Sequence, residues 1–432
     1  MSVRQFRRSV LMTVGTELAI AALSFATGVL SARLLGLSDQ GILSLVIVLP
    51  STLTLLTYLG LAQANVYFVG RDDESRRAMA ANSLLFAVGI GGATSGVMIL
   101  GRDFITRVFF QGLSPSLFAI VACLSPLFLL DTYLLAILRG VERFDLFNLR
   151  RLLTPLFTLI GIALAVGALG QGLRGAIFIQ AAVTVATTVW LVVVFHRRVT
   201  PLTFGFDRKL AKDSLAYGFK AYLQNLAIHL LYRADLYLLA FFRSAEEVAC
   251  YAVAMSLVRV IWYIPDSVGL SIFPRLARMA GSSGRRFTVA VCRWTLLGTA
   301  VVALALAAVG SLLVPFLYGT AYSAAVRPMM ILLPGAVVIT IYKVVVRDFT
   351  SRDSQTMPVL TAVLGLAVNV VLNLALIPRL GTGGAALAAT LSYSIATGAL
   401  LLAFITESGL ELHDIALGRH NDPLTGVADF QR

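Results

Sequence analysis

The chain has 432 residues, of which 58% are hydrophobic and only 13% charged, with a formal net charge of +13. Soluble domains average roughly 45–50% apolar and about 25% charged residues, so this composition excludes an ordinary water-soluble enzyme, a disordered chain and a coiled coil. The basic surplus sits in short clusters between long apolar runs, which excludes a nucleic-acid surface. The three cysteines (Cys123, Cys250, Cys292) have neither paired spacing nor an even number, so no disulfide framework or metal site is expected.

A membrane helix needs about 20 mostly apolar residues. Taken in chain order, such runs predict helices at 10–32, 41–63, 79–100, 116–138, 150–170 and 174–196. A second series follows at 213–242, 250–273, 289–316, 327–346, 358–377 and 384–405, giving twelve spans in an all-α membrane protein. The first run follows Arg4, Arg7 and Arg8 as a signal peptide would. It is too long for an h-region and contains Glu17, so it reads as a retained helix.

Alternate connections differ sharply in basic residues: one set holds 24 Lys and Arg, the other 7. Positive charge favours the cytoplasmic side, so both termini are expected there, in a multi-pass protein. A weak repeat recurs at an offset of about 207–211 residues. Phe110-Gln111-Gly112 returns as Leu317-Tyr318-Gly319, and Leu169-Gly170-Gln171-Gly172 as Leu380-Gly381-Thr382-Gly383. An even number of spans per half makes this a parallel repeat. The expected organisation is a six-helix lobe over 1–200, a second over 201–405 and a cytosolic tail over 406–432. No loop is long enough to fold a catalytic domain, and none carries a GxxxxGK phosphate cradle.

Ionisable side chains inside spans cost roughly 2.5–3.5 kcal/mol each on insertion scales, so each needs a reason. Tyr222, Asn225, His229, Tyr232 and Arg233 share one face of the seventh span; Ser256, Arg259, Trp262, Tyr263 and Asp266 stripe the eighth. Glu17 lies in the first span, Asp131 in the fourth, Asp235 in the seventh, and Lys343 precedes Arg347 by one turn in the tenth. Turned towards a shared aqueous cavity, Arg233, Arg259, Lys220 and Lys343 outnumber the acids and suit an anionic cargo, because Arg binds phosphate oxygens bidentately. Asn225, His229, Tyr232, Trp262 and Tyr263 are candidates for contacting sugars. Glu17, Asp131, Asp235 and Asp266 are candidates for coupling or gating. Structural readings stand beside these: Arg259 can neutralise Asp266, Asp131 can pair with Arg139, Lys220 and Lys343 can snorkel to the surface, and His229 can serve as an interhelical hydrogen bonder.

Several short motifs carry a family resemblance. Ala32-Arg33-Leu34-Leu35-Gly36 with Gly41-Ile42-Leu43 and Leu59-Gly60-Leu61, and Leu138-Arg139-Gly140-Val141-Glu142-Arg143-Phe144, resemble the first half of polysaccharide-repeat flippases. So do Arg233-Ala234-Asp235-Leu236-Tyr237 with Tyr251-Ala252 and Phe273-Pro274-Arg275-Leu276, and Tyr318-Gly319 with Tyr322. Asn369, Leu372-Asn373-Leu374, Ile377-Pro378-Arg379-Leu380-Gly381 and Gly384-Ala385-Ala386-Leu387-Ala388 are similar to the family's ending. The matches run in order along nearly the whole chain, within the superfamily that also holds multidrug and toxin extrusion exporters.

The resemblance implies a transporter with neither enzymatic activity nor a cofactor. It would move a polyprenyl-diphosphate-linked oligosaccharide from the inner to the outer leaflet of a bacterial cytoplasmic membrane by alternating access. Its partners would be that lipid-linked oligosaccharide and the phospholipid bilayer, with the linker and tail available to polysaccharide-assembly proteins and no nucleic acid involved. A cation-coupled multidrug exporter of the same fold, coupled through Glu17 or Asp131, is the alternative. A lipid II flippase is less favoured because fewer spans are expected here, and a glycan polymerase would need a long outer loop.

Overall fold

The computed structural model describes residues 3–71, 75–276, 279, 281–352 and 354–408, which are helical almost throughout, with no strand among the described residues. In chain order the helices are α1 (Val3–Thr57), α2 (Leu61–Arg71), α3 (Ser75–Leu100), α4 (Arg102–Phe109), α5 (Pro115–Ala122) and α6 (Ser125–Gly140). Next come α7 (Phe144–Ile162), α8 (Gly172–Arg198), α9 (Arg208–Leu231), α10 (Ala234–Phe242) and α11 (Ala245–Val258). The last five are α12 (Tyr263–Leu276), α13 (Gly281–Tyr318), α14 (Val326–Ser351), α15 (Thr356–Leu380) and α16 (Thr382–Ser408).

Among the described residues, 10 stretches are long and apolar enough to cross a membrane. The expected spans at 10–32 and 41–63 fall in one helix, interrupted at Gly36, whose φ of 76° and ψ of 178° form a backbone essentially restricted to glycine. The helix expected to run to 63 ends at Thr57, and a turn through Leu59 and Gly60, both at positive φ, opens α2. The expected seventh span is not among the 10: its chain divides at Tyr232–Arg233 into α9, which has 24 residues but is too polar, and α10, which has only 9. Apolar content marks where helices run; these interruptions depend on local backbone needs that apolarity does not encode. The tail expected at 406–432 lies, from 409 onward, outside the described residues.

The chain forms two compact units. The first takes Met1–Leu230, Leu236–Ala252 and Pro315–Tyr322; the second takes Leu231–Asp235, Val253–Val314 and Ser323–Arg432. In the first, α6 packs against α2, α3 and α8. Tyr133, Leu134, Ile137 and Leu138 recur at helical spacing and meet Met79, Ala80, Leu191 and Phe195 in the core. Close approach is needed where α9 crosses the Leu59–Gly60 turn: a Cβ on Gly218 would lie 2.2 Å from the Gly60 carbonyl oxygen. The connection after α8 is fastened to α3, where the Asn82 amide both donates to the Asp207 carbonyl and accepts from its N–H.

A second fastening in the first unit explains two sequence motifs at once. The Tyr322 hydroxyl, buried, donates to the carbonyls of Ala32 and Gly36 at the α1 break. The Arg33 guanidinium donates to the carbonyls of Leu317, at 2.6 Å, and Phe316 in the last turn of α13. Those carbonyls have no partner within their own helix, and a cation there also complements the helix dipole.

In the second unit α14 and α15 both pack on α16. Small residues let the backbones meet: a Cβ on Gly335 would lie 2.6 Å from the Thr390 Cα. A buried polar ladder joins α15 to α16, with the Asn369 amide donating to Ser392 and the Asn373 amide donating back to Asn369. With no water in hydrocarbon, such groups must satisfy one another.

Candidate functional site

The sharpest cluster forms within the second unit and begins with two irregular backbone segments. The chain turns at Tyr232–Arg233 between α9 and α10, and Arg259–Trp262 forms a 3₁₀ turn between α11 and α12. Pro265 accounts for the second: it lacks an N–H for the carbonyl of Ile261, and its ring crowds that carbonyl. Interrupted helices inside membrane bundles line polar sites rather than lipid.

On these segments the aromatic residues pack edge and face. The Trp262 indole N–H donates to the Ala336 carbonyl at 3.2 Å, which fixes the ring. Tyr232 lies 4.9 Å from it, and Tyr393 stands edge-on to Tyr232 at 5.7 Å and to Trp262 at 6.1 Å. Over this platform sits Lys343, its ammonium 4.9 Å from the Trp262 ring centre and 5.8 Å from that of Tyr232. It donates to both Asp266 carboxylate oxygens, at 2.9 and 3.0 Å. Arg347, one turn along α14, packs on Gly269, where a Cβ would come within 3.1 Å of its Nε.

Arg259 and Arg347 are both within electrostatic reach of Lys343. Arg233 lies in the α9–α10 break and Asp235 just beyond it, and both, with Arg259, are within electrostatic reach of the Tyr393 hydroxyl. Asp235 is buried in the first turn of α10, where the helix dipole favours a carboxylate. Tyr263 is exposed. The cluster thus offers several cations beside aromatic faces. Chemically, that combination holds phosphate oxygens through the cations and stacks sugar rings or other flat surfaces on the aromatics.

The first unit holds the other predicted residues, and most of them are tied into its packing. His229 Nε2 lies 3.3 Å from the Thr52 hydroxyl, to which Tyr237 also donates at 3.0 Å. Tyr222 donates to the Leu56 carbonyl, and Asn225 on the same helix is exposed. Glu17 receives both arms of the Arg151 guanidinium. Asp131 forms an ion pair with Arg150 at 2.8 Å rather than with Arg139, whose guanidinium covers the Phe147 ring. Consecutive residues on a helix point about 100° apart, so Arg150 and Arg151 of α7 reach different neighbours, α6 and α1. The side chain of Lys220 is outside the described ones.

Two members of the second-unit cluster escaped the sequence-based candidate set. Arg347 was visible as the residue one turn after Lys343. Tyr393 gave no signal beyond its place in a Ser- and Thr-containing stretch of an apolar helix, yet its buried hydroxyl has no hydrogen-bond partner among the described residues.

Comparison with known proteins places this geometry in context. A family model described as polysaccharide biosynthesis protein matches residues 6–280. The uncharacterized membrane protein MJ1068 of Methanocaldococcus jannaschii is 24% identical over 195 residues, covering 44% of this chain and 38% of that protein. The chain therefore aligns to well under half the length of that relative. The inward-facing conformation of a multidrug resistance MATE family transporter of the MOP superfamily has a TM-score of 0.73 at 14% identity, over 93% of this chain and 98% of that one. The lipid II flippase MurJ in an inward closed conformation has a TM-score of 0.70 at 14% identity, over 95% of this chain and 94% of that one. At such identities the likeness shows a shared fold.

Proposed function

The chain belongs to the polysaccharide biosynthesis protein family, and on that premise we propose that it is a flippase for a polyprenyl-diphosphate-linked oligosaccharide. Cargo moves from the inner to the outer leaflet of the cytoplasmic membrane, with both termini on the cytoplasmic side. The observation that carries this reading is the grouping of Lys343, Arg347 and Arg259 around the Trp262–Tyr232–Tyr393 platform. A polar head with two phosphates needs cations in place of water, and its sugars need flat partners and hydrogen bonders. Arg233 and Arg259 serve the diphosphate in this reading, while the Tyr393 hydroxyl is available to a sugar hydroxyl. An inside-negative potential assists outward movement of negative charge, by about 2.3 kcal/mol per charge per 100 mV. A multidrug exporter with a cationic cargo fits less well beside these surplus cations.

The deciding experiment is mass spectrometry of membrane lipids after depletion of the protein in its host. Accumulation of one polyprenyl-diphosphate oligosaccharide on the inner leaflet is expected, and an Arg233→Ala protein should fail to relieve it. An unchanged lipid profile together with new sensitivity to cationic dyes would transfer the assignment to drug export.

A further inference from the structure

The cation best held in the cluster is already answered by a carboxylate, and the two partners differ in how firmly they are placed. The Lys343 side chain is 16% exposed and Asp266 is 54% exposed. The ammonium is kept in position by the Trp262 and Tyr232 rings, and Trp262 is itself anchored to the Ala336 carbonyl. Among the described residues, the hydrogen bonds seen on the Asp266 carboxylate are the two from the lysine. A carboxylate this open within an apolar helix faces water rather than hydrocarbon. Lys343 therefore keeps its place when Asp266 turns away, whereas the converse does not hold.

We propose that Asp266 is a displaceable counter-ion, which neutralises Lys343 until the diphosphate of the cargo takes its place. The proposal rests on the flippase reading and adds a selection rule to it. An incoming anion must beat one carboxylate charge on Lys343 and gains from Arg259 and Arg347 nearby. A diphosphate carries more than one charge and several acceptor oxygens, so it wins that exchange. The phosphodiester of an ordinary phospholipid carries a single charge and does not. In a membrane where such phosphodiesters vastly outnumber the cargo, the counter-ion keeps the site from filling with bulk lipid headgroups.

The chain has three tryptophans, so Trp190→Phe with Trp294→Phe leaves Trp262 as the sole fluorescent reporter, directly beneath Lys343. Inorganic pyrophosphate and dimethyl phosphate, a monoanionic diester, are titrated into the full-length protein in detergent. The parent should discriminate strongly in favour of pyrophosphate. Asp266→Asn, which keeps size and loses charge, should bind both anions more tightly and narrow the discrimination about tenfold, equivalent to about 1.4 kcal/mol. Asp266→Glu should restore the parent's preference, and Lys343→Met should abolish the response. Equal discrimination by the parent and Asp266→Asn, or pyrophosphate binding that survives Lys343→Met, overturns the counter-ion. Failure of pyrophosphate to bind any of the proteins overturns it as well. The flippase reading is judged independently by the lipid accumulation described above.

Discussion

In the first unit Asp131 faces Arg150 with the two side chains 19% and 7% exposed, whereas in the second Asp266 faces Lys343 with values of 54% and 16%. Both are acid–base pairs between neighbouring helices, and sequence alone would treat them alike. Their surroundings separate them. Arg150 is enclosed, so its charge depends on Asp131 for most of its compensation. Lys343 lies against two aromatic faces as well as its carboxylate, and so keeps a favourable setting when the carboxylate leaves. The first pair fastens α7 to α6; the second is built to be exchanged.

Removing one partner from each pair breaks this comparison most directly. Asp131→Leu strands a buried guanidinium and should cost about 3–5 kcal/mol, seen as a large fall in thermal stability in detergent. Asp131→Leu combined with Arg150→Met should recover most of that loss, because two uncharged side chains replace the pair. Asp266→Asn should shift unfolding by less than about 1 kcal/mol while altering anion binding. Similar losses of stability from Asp131→Leu and Asp266→Asn would erase the distinction.

Packing in the first unit sharpens the same contrast at a lower magnitude. Gly218→Ala drives a methyl group to 2.2 Å from the Gly60 carbonyl oxygen, and should cost about 1–3 kcal/mol in the same unfolding assay. Tyr322→Phe removes the hydroxyl that serves Ala32 and Gly36, and should cost about 1–2 kcal/mol. At the bottom of the scale, Asp145→Ala breaks a pair with Arg143 whose side chains are 57% and 37% exposed. It should change stability by no more than about 0.5 kcal/mol, and a melting curve superimposable on the parent's is the expected result.

The apolar runs and the alternation of basic loops made the membrane class legible, and the short motifs led to the family. The structure gives physical reasons for those motifs. Arg33 and Gly36 are joined to Tyr322 and the end of α13 by hydrogen bonds. Gly140, in the Leu138–Phe144 motif, lies where a Cβ would come within 3.1 Å of the Val66 carbonyl oxygen. Asn369 and Asn373 are fully buried in the α15–α16 ladder. Partner choice was less legible. Asp131 was expected to answer Arg139, a residue eight positions along, but pairing across helices depends on which face each helix turns to its neighbour. Tyr393 was invisible for the same reason, since it reaches Trp262 and Tyr232 only through the packing of α16 in the second unit.

The turn at Arg259–Trp262 also alters the phase of its helix. A 3₁₀ segment advances about 120° per residue where an α-helix advances about 100°, so four residues accumulate roughly 80° of extra rotation and about 2 Å of extra rise. Positions before the turn, such as Ser256, are therefore rotated out of line with Asp266 beyond it, and the single stripe read from regular spacing is wound into a helical ramp. Pro265→Ala, which would let the segment relax to regular α-geometry, would rewind that ramp and carry Asp266 around the axis away from Lys343. A residue that carries no charge of its own thus governs whether the two charges can meet.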